Sequence, residues 1–322
     1  MLRCFVLAAC MFGAMSALAT GGELDADMRA LEQARDLAAM QARIDRADAD
    51  ELASPDGWNW RAWLATANGD WEQAEALLDQ GLALHPQSAT LELQRTALMV
   101  RGFNDVGNIG ALRLARRVRQ GFERAVELDP DHVGARMGLI QYYLNAPRVA
   151  GGGEARANEH IERLKALSLP AYLDMRAAQA AAGGEYEQAL QYLDQALALD
   201  DPAERRLSRG ILLQMKGEHD QARADFLKIV EALPSHGAAW YQLGRTSVLA
   251  EDWIEDGQEA FHRYLNLPLW PGDPGHPAAW WRLGQLQLLG KDGDAARRSF
   301  ERALDLDAAF EPAAAALAEL LG

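Results

Sequence analysis

Apolar residues recur along this chain at the spacing of one helix face, in runs that Gly or Pro interrupts. The segment Gly210–Pro234, GILLQMKGEHDQARADFLKIVEALP, predicts a helix, a Gly turn, a second helix and a Pro stop. Nearer the start, Met28, Leu31, Leu37, Met40, Ile44 and Ala47 fall close to helical spacing. Glu23 to Leu52 therefore reads as one long amphipathic helix or two short ones, with no Gly or Pro marking a turn. Glu311–Leu321 predicts a last helix.

Within the clearest segment the punctuation is regular. Counting from Ala203, Gly210, Gly217, Ala222, Phe226 and Pro234 stand at positions 8, 15, 20, 24 and 32. A Gly at 8 lets two helices approach, because it has no Cβ. A Gly at 15 takes the positive φ that ends a helix. A small residue at 20 and a ring at 24 are expected to interlock with the neighbouring unit, and Pro near 32 cannot continue the backbone ladder. This spacing resembles the tetratricopeptide repeat, a helical hairpin of 34 residues. The resemblance implies an all-α, right-handed superhelical solenoid of stacked helix-turn-helix units, since one hairpin alone cannot bury both its faces.

The frame recurs. Ala62, Gly69, Ala74 and Leu78 hold positions 8, 15, 20 and 24 of a unit at 55–88. Units follow at 89–132, 133–169, 170–202, 203–236, 237–276 and 277–310, seven over 55–310. The second is stretched by a turn-rich insert containing Gly102, Asn104, Asp105, Gly107, Asn108 and Gly110, and the third by Asn145 through Gly153. The sixth needs one extra residue to place Phe261 and ends in a Pro- and Gly-rich loop, Pro268–Pro277. Residues 20–54 are expected to form an amphipathic cap, a degenerate half-repeat from Gly21, because its heptad is too short for a coiled coil. Residues 311–322 are expected to close the array. Position 7 departs from the family's Leu: it is Arg61, Arg176 and Arg209, whose stems are expected to pack while the charge reaches water.

Charge and cysteine usage change the picture in two ways. Over 322 residues the formal charge is −15. A nucleic-acid backbone or anionic membrane is thus disfavoured as the main partner. Both cysteines, Cys4 and Cys10, lie near the start, inside a segment with Arg3, an apolar run Phe5–Met15, and Ala17-Leu18-Ala19. This is the pattern of a secretory signal at 1–19 with cleavage before Thr20, which places the protein outside the cytoplasm, periplasmic or secreted. The run is too short for a stable membrane span. The alternative is a lipobox, Leu7-Ala8-Ala9-Cys10, that acylates Cys10.

Candidate chemistry is sparse. The seven histidines form no H-E-x-x-H or close pair, so no metal is expected. No nucleophile elbow occurs, and no cofactor motif either. Gly151-Gly152-Gly153 lacks the Gly-Lys-Ser/Thr ending of a phosphate loop and reads as a plain connection. Asp105-Val106-Gly107-Asn108 lacks the ligand ladder of a calcium loop.

Tryptophans cluster instead. Trp58, Trp60, Trp63 and Trp71 lie in the first unit, and Trp240, Trp253, Trp270, Trp280 and Trp281 in the last two. Trp58, Trp240 and Trp280 at position 4 are expected in the core. The family resemblance implies a concave groove lined from positions 2, 5, 9 and 12 of each first helix. Candidate groove residues are Asn59, Trp63, Gln141, Asn145, Tyr241, Arg245, Trp281 and Gln285. The Lys–Asn pair of carboxylate-clamp members is absent from every unit. The expectation is a non-enzymatic exported scaffold that binds a protein or peptide segment in that groove. The alternative is a structural subunit of an envelope assembly that uses the convex face and termini.

Overall fold

The computed structural model describes residues 22–104 and 107–322, and every regular element in them is helical. Three helices, α1 (Glu23–Gln33), α2 (Leu37–Asp45) and α3 (Ala49–Ala53), precede a series of hairpins. These pair α4 (Pro55–Ala67) with α5 (Trp71–Leu84), α6 (Ala89–Val100) with α7 (Asn108–Leu128), α8 (Val133–Asn145) with α9 (Glu154–Leu167), and α10 (Leu169–Ala182) with α11 (Tyr186–Leu197). They continue with α12 (Ala203–Lys216) and α13 (His219–Ala232), α14 (Gly237–Ala250) and α15 (Ile254–Leu265), and α16 (His276–Leu289) and α17 (Gly293–Leu306). α18 (Glu311–Leu321) follows. The chain divides into two compact units, one ending at Asp201 and one beginning at Pro202. The expected signal segment, Thr20 and the Cys10 lipobox lie outside the described residues.

The hairpin turn is set at position 15. Gly69, Gly184 and Gly217 hold it with φ of 77°, 80° and 81°. Where Gly is missing, another residue takes the same left-handed conformation: Arg35 (φ 51°), Glu251 (φ 54°) and Lys291 (φ 63°). Left-handed backbone costs a non-glycine residue roughly 1–2 kcal/mol, so helix packing on both sides must hold these turns. Arg35 corrects the expectation for the N-terminal segment. It makes α1 and α2 a full hairpin in the frame that starts at Gly21, with Met40 wholly buried and Ile44 nearly so. The extra residue in the sixth unit is Trp253, a second left-handed position at φ 50° before α15.

Close approach explains position 8. A Cβ on Gly210 would lie 2.4 Å from Cε1 of Phe226, and one on Gly284 would lie 2.4 Å from Cε1 of Phe300. Both rings are wholly buried. Here the ring at 24 fills the space above the glycine of its own hairpin, not of the neighbour. The expected interlock between units does occur at Phe122, whose ring fills the space beside Gly138 on α8.

The first unit's main core runs from Leu93 to Met175 and includes Phe122, Ile140, Ile161 and Leu164, with a smaller cluster around Leu78 and Leu91. The second unit has a cluster of Tyr241, Phe261, Tyr264, Leu283 and Leu286.

The position-7 arginines stay partly exposed and also find partners. Arg209 donates to Asp225 Oδ2 at 2.6 Å and Arg206 to its Oδ1 at 3.0 Å, around a carboxylate that is buried. Arg176 bonds Asn158 and Gln179 and pairs with Glu162. Arg61 lies over the Trp58 ring at 4.6 Å.

The two stretched units also differ from expectation. After α6 the described residues form a 3₁₀ turn, Arg101–Asn104, and α7 begins at Asn108 and runs for 21 residues, so Asn108 and Gly110 are helical. Asp105 and Val106 lie outside the described residues. The Gly-rich connection is pinned. Tyr142 donates to the Ala150 carbonyl at 2.7 Å, and the N–H groups of Gly151, Gly152 and Gly153 donate to Arg148, Pro147 and Tyr143 carbonyls. With those three donors engaged, the segment has no free cradle for an anion.

Candidate functional site

Each hairpin has a first helix, A, and a second, B. In the first unit the A helices α4, α6, α8 and α10 touch in succession, and in the second α12, α14 and α16 do. Among the described residues, successive B helices approach each other less. Within each unit the A face is therefore the inner one.

In the second unit this face carries a polar ladder. Arg245 donates to Gln214 Oε1 at 2.9 Å and to Gln242 Oε1 at 3.2 Å. Gln214 in turn donates to the Gln242 carbonyl at 3.1 Å and to Thr246 Oγ1 at 2.7 Å. Gln214 and Thr246 are buried, so the network is dry beneath and its cost is offset only because its members satisfy one another. Arg245 itself is half-buried. Sequence reading found Arg245 but missed Gln214, Gln242 and Thr246. Gln214 stands at position 12 of its unit, which was the available signal. On the next A helix, Trp281 is half-buried. Its ring meets Phe310 edge-on with centroids 6.1 Å apart, and Arg282 lies 4.2 Å above it. Gln285 accepts from Arg282 at 3.0 Å, so it orients a cation instead of standing open.

Two candidates move from groove to core. Tyr241 is 7% exposed, its ring edge-on to Phe261 at 5.7 Å and to Tyr264 at 5.4 Å. Tyr264 also bonds the Pro274 carbonyl, so these rings cover the junction left by the long loop. Asn59 is 8% exposed. In the first unit Trp63 stays half-buried, its ring 6.1 Å from Trp60. Trp60 is structural: its indole N–H donates at 3.0 Å to Asp25, a buried carboxylate that also holds Arg29. Trp71 is capped by Arg101 at 3.1 Å. Most of the first unit's tryptophans thus fix the N-terminal hairpins. Gln141 and Asn145 pair with each other at 3.2 Å, with Gln141 Nε2 3.9 Å from Met175 Sδ. The structure brings together Arg245 with its ladder and Trp281 with Gln285 on adjacent helices, and leaves the first-unit candidates apart from them.

Behind the inner face lies a titratable cluster. Tyr143 donates to Glu123 at 2.9 Å, and burial, followed by that carboxylate, pushes its hydroxyl up to about 12. His160 stacks on Tyr143 at 5.7 Å and contacts Arg136 at 3.1 Å. Burial and then the guanidinium push His160 below its ordinary value, and burial does the same to His132. Among the described residues no three His, Cys, Asp or Glu side chains gather to hold a metal, and no helix is long and apolar enough to cross a membrane.

The tetratricopeptide repeat model matches residues 175–236 and 250–309. No curated protein matches the sequence significantly. Among solved structures, the APC/C hetero-tetramer Cut9–Hcn1 is similar at a TM-score of 0.60 and 14% identity, over 93% of this chain and 55% of that one. The chain spans only about half the length of that relative. The human IFIT1 dimer with m7Gppp-AAAA is similar at 0.60 and 18% identity, over 92% of this chain and 71% of that one. At such identities the likeness is one of fold. Residues 175–236 and 250–309 match the tetratricopeptide repeat in sequence, and the chain as a whole has the all-α fold of stacked helical hairpins seen in tetratricopeptide repeat solenoids.

Proposed function

We propose that the protein is an exported, non-enzymatic scaffold that holds a protein segment against the A-helix face of its second unit. The tetratricopeptide repeat is a protein-interaction fold, which supports the general role. The observation that carries the finer reading is Arg245, held between two amide oxygens at 2.9 and 3.2 Å. A guanidinium already oriented in the free protein loses little freedom on binding, so it favours a carboxylate or a carbonyl-rich backbone. Trp281 on the adjacent A helix adds an amphipathic ring of the type that dominates interface energies. Export rests on the Met1–Thr20 pattern, with acylation at Cys10 as its alternative.

The test is selection of short peptides from a random displayed library on the purified chain, followed by titration onto variants. Arg245→Ala with Trp281→Ala is expected to weaken the selected peptides by roughly 2–4 kcal/mol. Equal binding by the folded double variant refutes this face as the site. Tyr241→Ala is unsuitable as a probe, because its loss opens the core.

A further inference from the structure

α7 concentrates positive charge in an acidic chain. It carries five arginines, Arg113, Arg116, Arg117, Arg119 and Arg124, against Glu123 and Glu127, while the whole chain has a formal charge of −15. Helical geometry sorts them. Ala115, Val118, Phe122 and Ala125 form the buried face. Arg113, Arg116, Arg117, Gln120 and Arg124 fall on the opposite side with Ile109, and all six are exposed, Ile109 to 81%. Arg124 reaches Glu127 at 3.5 Å, and Arg119 leans toward Glu123 at 3.8 Å. Arg113, Arg116 and Arg117 have no ion-pair partner among the described residues.

Like charges at i, i+3 and i+4 repel, so this trio weakens the helix that carries it. The buried face needs none of the three. An apolar side chain as open as Ile109, one helical turn before Arg113, adds a second feature that folding does not require.

We infer that the outer face of α7 is a docking surface for an acidic segment of a partner protein, with an apolar side chain on that segment to cover Ile109. Charge complementarity sets the sign of the partner, and footprint sets its size. Arg113 to Arg124 spans about 17 Å of helix, the length of about five extended residues. A membrane or a nucleic-acid duplex reaches far beyond that patch, and the formal charge of −15 on the whole chain disfavours so large an anionic partner. A single short segment touches the patch alone, and screening over about 8 Å at physiological salt hides the rest. This surface lies on a B helix and is independent of the A-face site.

The test is fluorescence anisotropy with a labelled hexapeptide of sequence Glu-Leu-Glu-Glu-Leu-Glu at low salt. The wild-type chain is expected to bind it, and Arg113→Glu with Arg116→Glu and Arg117→Glu to weaken binding by about tenfold. The matching triple Lys variant is expected to retain most of the affinity, and Ile109→Ala to lose a few-fold. High salt is expected to remove the difference. Circular dichroism of each variant checks folding. Equal binding by the folded triple Glu variant overturns the inference. So does preference for phosphatidylserine vesicles or single-stranded RNA over the peptide, or a self-association that the triple reversal abolishes.

Discussion

Adding one methyl group at Gly210 sets two effects against each other. In an exposed helix, Gly→Ala is stabilising by about 1 kcal/mol, because the unfolded chain loses freedom. At Gly210 the new Cβ would stand 2.4 Å from Cε1 and 2.6 Å from Cζ of Phe226. Ordinary contact begins near 3.4 Å, so the ring must retreat by roughly 1 Å. Phe226 is wholly buried and has nowhere to go. Overpacking of this kind costs typically 1–3 kcal/mol, which outweighs the propensity gain. Gly210→Ala is therefore expected to destabilise by about 1–2 kcal/mol net. Phe226→Leu shortens the obstacle, so the two substitutions are expected to couple favourably by about 1 kcal/mol or more. Urea titrations of wild type, both single variants and the double, followed by circular dichroism and tryptophan fluorescence, measure all four corners of the cycle. Stabilisation by Gly210→Ala alone, or strict additivity in the double variant, refutes the close approach at position 8.

Four further outcomes are expected. Lys291→Gly should stabilise by up to about 1 kcal/mol in the same titrations, because glycine removes the left-handed strain at an exposed turn, whereas Gly217→Ala should destabilise similarly. Asp225→Ala should cost about 3 kcal/mol, since it removes the buried carboxylate that Arg206 and Arg209 both bond, and a loss below about 1 kcal/mol would show that the site is solvated. His132 and His160 are depressed by burial in the fold, so their contribution is present above the unfolded value of 6.5 and is lost as pH falls below it; the urea midpoint should drop as the pH is lowered below that value, and less steeply in His160→Gln. Intact mass of the exported protein should place the mature N-terminus at Thr20, and a lipid-bearing chain beginning at Cys10 would overturn that reading.

The hairpin frame was legible because its signals are steric and local. Gly210, Gly217 and Phe226 each answer to one contact or one dihedral, and a short window contains both partners. The N-terminal hairpin was legible only as one long helix or two short ones, since Arg35 holds the turn and leaves no glycine to read. The insert after α6 was misjudged for a similar reason: Asn108 and Gly110 read as loop residues, but the buried face of α7 carries the helix back through them. At the candidate site, position number found Arg245 and Trp281 but could not separate them from Tyr241. All three stand at lining positions, and only packing on Phe261 and Tyr264 turns Tyr241 inward. The position-7 arginines hid their partners because Asp225 lies a helix away.

The A face of the second unit is proposed to grip a protein segment. Isothermal titration of a library-selected peptide onto Arg245→Glu with Trp281→Ala tests it most directly, with a urea titration of the same variant beside it. A loss of affinity of about thirtyfold or more is expected, in a variant that still unfolds cooperatively but at a lower midpoint, because Gln214 and Gln242 lose the cation that they share. Wild-type affinity in a variant that still unfolds cooperatively would refute this site.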